Sequence, residues 1–500
     1  MIKIMINMLR PLISTLIGVF VFTGLISCAH TQGPENSASK AGKMNVLLIV
    51  VDDLGAMDIT SAGSTFYETP NIDKLAATGV NFTNAYSPST VCSPSRAALQ
   101  TGKSPERLKI TDWIPGYTAK AKNRRGKQLE TPAILNQLPL EEVTLAETFK
   151  ENGYSTFYAG KWHLGGEGFH PEQQGYDINI GGNHKGSPKS YYSPYKNPQL
   201  IDGPNGEYLP DRLTSETLAF MQQQPADKPF FAMLSFYTVH TPIVAAKPHL
   251  DYYKKKAAAL PELEQPFRKE RNNTLSKLRQ DNPAYASMMH AMDINIGRLI
   301  DGLKQSGLDK NTLVIFTSDN GALTTQSKAT PSSSEPFRAG KGWIYEGGMR
   351  IPMIFSLPDS LAEKAYAGKV DQPVTLTDIA PTLYSLTGIK NTKNRQFDGA
   401  DLSDLVLHNK EIKRNTIQAY FPHYHASKSE PSYMLREGDW KLIYFYEDKS
   451  VELYNLENDI SEQNNLAVEK PELVKRLKSK MDIWLAKVKA DLPTRKSLNK

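Results

Sequence analysis

Four apolar runs, each broken off by a polar cluster, constrain this chain more than any other feature. Met44 to Val51 reads MNVLLIVV and stops at Asp52-Asp53, and Tyr154 to Ala159 stops at Gly160-Lys161-Trp162-His163. Phe230 to Tyr237 runs on to His240, and Thr312 to Thr317 to Asp319-Asn320. Unbroken β-branched and aromatic runs fit strands buried on both faces of a parallel sheet, where no solvated face demands alternation. Ligands bind open α/β sheets at the carboxyl ends of the strands, so four polar clusters placed there predict one shared rim. Amphipathic stretches, Leu140 to Asn152 and the series Tyr285, Met288, Met292, Ile296 and Leu299, predict helices covering such a sheet. His290 in the second reads as a surface or locally satisfied residue and the methionines as packing. The class expected is α/β, a large mixed, mostly parallel sheet sandwiched by helices.

A smaller unit is expected over residues 411–500, beside a main domain over 44–410. Met434 to Tyr446 and Val451 to Leu456 read as a hairpin with a polar turn at 447–450, and Lys470 to Val488 as a terminal helix, giving a small antiparallel sheet plus helix. At the other end, Lys3 and Arg10 accompany the apolar run Leu12 to Ile26, shorter than the roughly 20 residues that span a bilayer and suited to a signal segment. It closes on Leu25-Ile26-Ser27-Cys28, which resembles a bacterial lipobox. Residues 1–27 would then be removed, Cys28 acylated as a lipid anchor to the membrane, and 28–43 left as a polar tether. A plain signal peptide with an unrelated cysteine is the alternative. Residue 29 is Ala, not the Asp of inner-membrane retention, so an exported lipoprotein of the outer membrane, or one facing the periplasm, is expected.

The formal charge is +6, from 59 Lys and Arg against 53 Asp and Glu, without the clustered basic face that nucleic acid requires. Two cysteines exclude a disulfide framework. One is Cys92, in Cys92-Ser93-Pro94-Ser95-Arg96, at an expected helix start with an arginine one turn on. By chemistry alone it is either a thiolate stabilised by helix and guanidinium or a buried free cysteine.

C-x-P-S-R followed by L-x-T-G and a basic residue, here Lys103 where arginine is frequent, resembles the signature of type I sulfatases of the alkaline phosphatase superfamily. In that family a maturation enzyme converts the cysteine to formylglycine, whose hydrate is the nucleophile. The resemblance extends over roughly residues 44 to 460 and implies an alkaline phosphatase-like fold. Asp52, Asp53, Asp319 and Asn320 match the family's metal-binding pairs, with residue 92 completing the set. Oxygen donors of this kind select a hard cation, most often calcium in the family. Gly160-Lys161-Trp162-His163-Leu164-Gly165 matches G-K-W-H-x-G, His240-Thr241-Pro242 the substrate-side histidine, and Lys341 to Arg350 the block K-x-x-x-x-E-G-G-x-R.

The roles implied are these. Asp319 and the metal activate one hydroxyl of hydrated formylglycine for attack on sulfur, and Lys161 and Lys341 neutralise the sulfate oxygens. Arg96 holds the diol, His240 with Lys341 protonates the departing alcohol, and His163 takes the proton whose loss expels sulfate. A sulfated glycan, oligosaccharide or polysaccharide, is the expected substrate. Asp112-Trp113, Asn183-His184-Lys185, Tyr191-Tyr192, Arg338 and His423-Tyr424-His425 offer sugar-stacking and hydroxyl-binding chemistry. The rival readings are a phosphoesterase or phosphonate hydrolase of the same superfamily and a non-catalytic lipoprotein that binds sulfated glycans.

Overall fold

The chain is described from a computed structural model covering residues 43–116, 127–326, 330–362, 366–391 and 395–496. The expected leader, Cys28 and the tether through residue 42 lie outside them. Eight strands form the main sheet: β1 (Asn45–Val51), β2 (Val80–Phe82), β3 (Ser155–Gly160), β4 (Ile178–Ile180), β5 (Phe230–Ser235), β6 (Thr312–Ser318), β7 (Met353–Ser356) and β8 (Gly368–Val370). Their spatial order is β8-β2-β7-β6-β1-β5-β3-β4. Only the pairings of β7 with β6 and with β2 are antiparallel. The four apolar runs are thus the four contiguous central strands, and β1 is buried along its whole length.

Alternate β1 side chains enter opposite cores, as the period of two demands. Leu47, Ile49 and Val51 pack with residues of α3 (Leu209–Gln222) and with Met288, Met292, Ile296 and Leu299 of α4 (Pro283–Gln305). Val46, Leu48 and Val50 pack on the other face with Leu99 of α1 (Cys92–Thr101) and Phe149 of α2 (Leu145–Glu151). Each such aliphatic side chain contributes about 1.5–3 kcal/mol by leaving water. The helix expected over 140–152 starts later than its periodicity suggests, because Thr144 caps it. The Thr144 hydroxyl accepts from the Glu147 amide at 3.2 Å, and the Glu147 carboxylate accepts from the Thr144 amide at 2.8 Å. His290 is satisfied locally, 3.1 Å from the Tyr253 hydroxyl.

The C-terminal sheet is a four-stranded antiparallel meander, β9 (Thr416–Phe421), β10 (Ser432–Glu437), β11 (Trp440–Phe445) and β12 (Val451–Asn455). This corrects the single strand expected over Met434 to Tyr446, which Gly438, at φ 55°, breaks into two. One face takes Leu477, Met481 and Leu485 of α5 (Pro471–Lys487). Met434, Ile443 and Phe445 on the other face pack against Trp343, Ile344, Tyr345 and Met349 of the segment that carries Lys341.

Candidate active site

The strand register levels the tips of the central strands. Val51 pairs with Ser318, and Ser235 pairs with both Val50 and Gly160. Residues 52–53, 161–163 and 319–320 therefore emerge side by side, and each of Asp52, Asp53, Lys161, His163, Asp319 and Asn320 is buried. Gly160, at φ 98°, permits this spacing, since a Cβ there would lie 1.9 Å from the Ser235 carbonyl oxygen. Asp53 and His163 hold left-handed backbone at φ 61° and 60°, a conformation that non-glycine residues adopt at a cost of order 1–3 kcal/mol and that clusters at functional sites.

Every carboxylate at this rim holds a cation. Lys161 Nζ lies 2.7 Å from Asp52, Lys341 Nζ 2.6 Å from Asp53, and Arg96 Nε 2.8 Å from Asp319. Arg96 also donates through Nη1 to the Lys161 carbonyl at 2.7 Å and to Ser235 Oγ at 2.6 Å, tying the ends of β3, β5 and β6 together. The Asp53 amide donates to Asp319 at 3.1 Å, and the Asn320 amide nitrogen to Asp53 at 2.7 Å. Burial, reinforced by Asp319 and Asp53, pushes the Asp52 carboxyl well above the ordinary carboxylate range against the pull of Lys161 and Arg96. Asp52 Oδ1 and Asn320 Oδ1 are buried oxygens without a hydrogen-bond partner among the described residues. Ligand atoms of Asp52, Asp53 and His240 come within 4.8 Å of one another. Orphaned oxygens beside crowded carboxylates are the donor set a hard divalent cation fits.

Cys92 opens α1 at the edge of this cluster, its Sγ 3.3 Å from His163 Nδ1. His163 Nε2 donates to the Ile114 carbonyl at 2.6 Å, so Nδ1 carries the lone pair aimed at residue 92. Burial, then the Lys161 ammonium, hold this imidazole well below its ordinary pKa. His240 has the opposite arrangement. Its Nδ1 donates to the Thr241 carbonyl at 2.6 Å and its Nε2 stands 3.7 Å from Asp53. Burial and Lys341 lower it to about 3, with Asp53 pulling the other way. Asp53, Cys92, His163, His240 and Lys341 all border one cavity of about 490 Å³.

Residues 44–389 match the family model described as Sulfatase, and residues 338–490 match that for the N-sulphoglucosamine sulphohydrolase C-terminal region. The chain belongs to the sulfatase family. It is a sulfuric ester hydrolase, 30% identical to a sulfatase of Formosa agariphila over 95% of this chain and 94% of that protein. It is 32% identical to the N-acetylgalactosamine-6-sulfatase of Mus musculus over 78% of this chain and 69% of that one. The crystal structure of Ps i-CgsB in complex with k-i-k-neocarrahexaose is similar at a TM-score of 0.69 and 28% identity, covering 88% of this chain and 92% of that one.

Of the residues expected to meet sugar, Trp113, His184, Lys185 and His425 line the sulfatase's catalytic cavity. The remainder are tied into the framework by hydrogen bonds, because a buried polar group has to find a partner, and of these Asn183 also lines a neighbouring cavity. Asn183 holds a loop through Asn197 at 2.8 Å, and the Tyr191 hydroxyl donates to the carbonyls of Tyr237 and His240 at 2.7 and 3.0 Å. Tyr192 donates to the Ala245 carbonyl, and Arg338 to Glu270 and the Glu462 carbonyl. His423 bonds Thr111, Tyr424 bonds Glu447, and Asp112 is buried, accepting from the Trp113 amide. Sequence reasoning missed Ser235, whose signal was a lone hydroxyl within an apolar run, and Ile114, whose carbonyl sets the His163 tautomer and leaves no signal at all.

Proposed function

We propose that this sulfatase removes sulfate from a sulfated carbohydrate, using hydrated formylglycine formed from Cys92 and a calcium ion held by Asp52, Asp53, Asp319 and Asn320, with residue 92 completing the set. The observation that carries the reading is the His163 Nδ1 lone pair 3.3 Å from residue 92, in a cavity that also holds Lys341 and His240. The hydrate supplies a geminal diol, and a divalent cation supplies Lewis acidity that lowers the pKa of a nearby hydroxyl and offsets charge on sulfate oxygens. This chain's own residues do the remaining work. Arg96 fixes Asp319 toward the site, and His163 takes a proton from a hydroxyl of residue 92. Lys161 and Lys341 face the sulfate oxygens, while Lys341, which holds its proton beside Asp53, and His240, once it has taken up a proton at Nε2, deliver a proton to the leaving oxygen.

Charge favours a sulfate monoester over a phosphate monoester. With a divalent cation bound, Asp52, Asp53 and Asp319 are all held ionised and balance Arg96, Lys161 and Lys341, so the cation leaves +2. An ionised nucleophile and a monoanionic sulfate ester match that, whereas a phosphate dianion leaves an excess negative charge. Relatives named for N-acetylgalactosamine 6-sulfate and for ulvan support a carbohydrate substrate. We also propose, from Leu25-Ile26-Ser27-Cys28, that the protein is exported and anchored by an acylated Cys28.

Protein co-expressed with a maturation enzyme is expected to yield a residue-92 peptide about 18 Da lighter than its thiol form. Cys92→Ala is expected to fold and to release no sulfate. Full activity in protein carrying only unmodified cysteine would refute the mechanism.

A further inference from the structure

A second cavity, of about 600 Å³, adjoins the catalytic one and shares His184, Lys185 and Ser187 with it. The segment 183–187 is their common wall, and it is fitted to the catalytic base. The Asn183 carbonyl accepts from the His163 amide at 3.0 Å, and Gly186 lies so close to the imidazole that a Cβ would stand 2.6 Å from its Cε1. The loop behind this wall is braced internally. The Gly181 amide donates to the Gln199 carbonyl at 2.7 Å, and Asn197 donates to the Gly181 carbonyl at 2.9 Å while accepting from Asn183 at 2.8 Å. Tyr191, on the same loop, donates to the His240 carbonyl at 3.0 Å. The second cavity is therefore held in register with both catalytic histidines before any ligand arrives.

Its charge differs from that of the catalytic cavity. There, Lys341 sits on the Asp53 carboxylate, and Lys185 belongs to the shared wall. Here Lys185, Lys189 and Lys196, with His170 and His184, face Glu167 alone. All three lysines are exposed, and among the described residues none has an ion-pair partner. Unpaired cations around a concavity focus positive potential and attract an anion. The rings of Tyr195 and Tyr237 are buried behind the cavity as part of its floor, with their hydroxyls committed to Glu207 at 2.8 Å and to the Gly181 carbonyl at 3.2 Å, so the floor is fixed and the accessible groups are the charged ones at its rim.

We propose that this second cavity binds a further anionic sugar of the same chain whose sulfate ester occupies the catalytic cavity, which makes the enzyme selective for polyanionic oligosaccharides over isolated sulfated monosaccharides. The proposal rests on the carbohydrate-sulfate reading and adds where the rest of the substrate lies. A sulfate and a uronate carboxylate share the required chemistry, an oxyanion carried on a sugar.

The test is calorimetric titration of the full chain at low salt in a Cys92→Ala background, so that nothing turns over. The probes are hexasaccharides from carrageenan, chondroitin sulfate, desulfated chondroitin and heparin, each beside its matching monosaccharide. At least one hexasaccharide is expected to bind about tenfold more tightly than its monosaccharide, about 1.4 kcal/mol. Carrageenan, bearing sulfate without uronate, set against chondroitin sulfate, bearing both, separates the two sources of charge, and desulfated chondroitin, which lacks the ester for the catalytic cavity, is the control for binding without that anchor. Lys189→Ala with Lys196→Ala should abolish the advantage, and the corresponding arginine pair should restore it. The proposal is overturned if no hexasaccharide outbinds its monosaccharide, if the alanine pair keeps the advantage, or if the arginine pair fails to restore it. Sulfate release by mature wild-type enzyme, measured separately on the same hexasaccharides, tests the carbohydrate-sulfate reading itself, so the two failures are told apart.

Discussion

His163 and His240 are both buried imidazoles with one nitrogen committed to a backbone carbonyl, yet the committed nitrogen differs, and with it the chemistry left over. His163 keeps Nδ1 free toward residue 92, whereas His240 keeps Nε2 free on the side of Asp53. A base that takes the proton of the remaining hydroxyl of residue 92, and so expels sulfate, is needed for every substrate, but an acid acting on the leaving group is needed only when that group is a poor one. His240→Ala is therefore expected to slow sulfate release from a sugar by 100-fold or more, of the order that general acid catalysis contributes, and release from 4-nitrophenyl sulfate far less. His163→Ala should slow both alike. Steady-state rates on the two substrates check this, and equal losses for His240→Ala would reverse the assignment. At this scale the chemistry-bearing side chains were legible as types in a sequence, Cys92 and Arg96 above all. The tautomers were not, because backbone carbonyls of Ile114 and Thr241 decide them and carbonyls have no sequence signature.

Among the elements, the segment bearing Lys341 depends on a strand of the smaller sheet for its position. Lys441, on β11, is buried between Glu346 and Glu462, 2.8 Å from each, and the Glu346 amide donates to Glu462 at 2.7 Å. Glu346 lies only five residues from Lys341, and Trp343, Ile344, Tyr345 and Met349 seal the same junction with apolar contact. Removing one member of a buried ion network leaves uncompensated charge, which costs about 3–5 kcal/mol. Lys441→Met is expected to lower unfolding stability by that amount in denaturant titrations and to reduce turnover through misplacement of Lys341. Unchanged stability would mean that the network is not structural. The central strands were readable because burial on both faces leaves a compositional trace. The β10–β11 turn was missed because it occupies only two residues, Gly438 and Asp439 between the paired Glu437 and Trp440, a short break in a run that otherwise reads as one strand.

For the whole molecule, the proposed anchor and the proposed second cavity make one demand, that a long anionic chain reach a site held near a membrane. Each acyl methylene buried contributes roughly 0.8 kcal/mol, and one chain binds only reversibly, so the multiple acylation of a lipoprotein cysteine is what retains a soluble domain. Cys28→Ala is expected to move the protein from the membrane to the soluble fraction, or to block its processing, while a chain starting at Lys43 keeps the specific activity of the full-length enzyme. Fractionation with immunodetection and an N-terminal mass determination checks this. Wild-type protein found wholly soluble with an unacylated N-terminus would leave an ordinary secretory signal in its place.

Local chemistry determined what the sequence could tell of the fold, which runs become doubly buried strands and that polar clusters follow them, while Cys92 to Lys103 was legible only as a resemblance to a family signature. Those depend on residues adjacent in the chain. Tertiary structure alone decided which carboxylate holds which cation, that Arg96 serves Asp319 and Ser235, that Arg338 and Tyr191 belong to the framework, and that Lys185, Lys189 and Lys196 gather around a second cavity with no ion-pair partner among the described residues. Pairings between groups far apart in sequence are set by strand order and register, which bring residues 52, 161 and 319 level at one rim. A hydrogen bond or ion pair of that kind exists only once the fold has selected both partners.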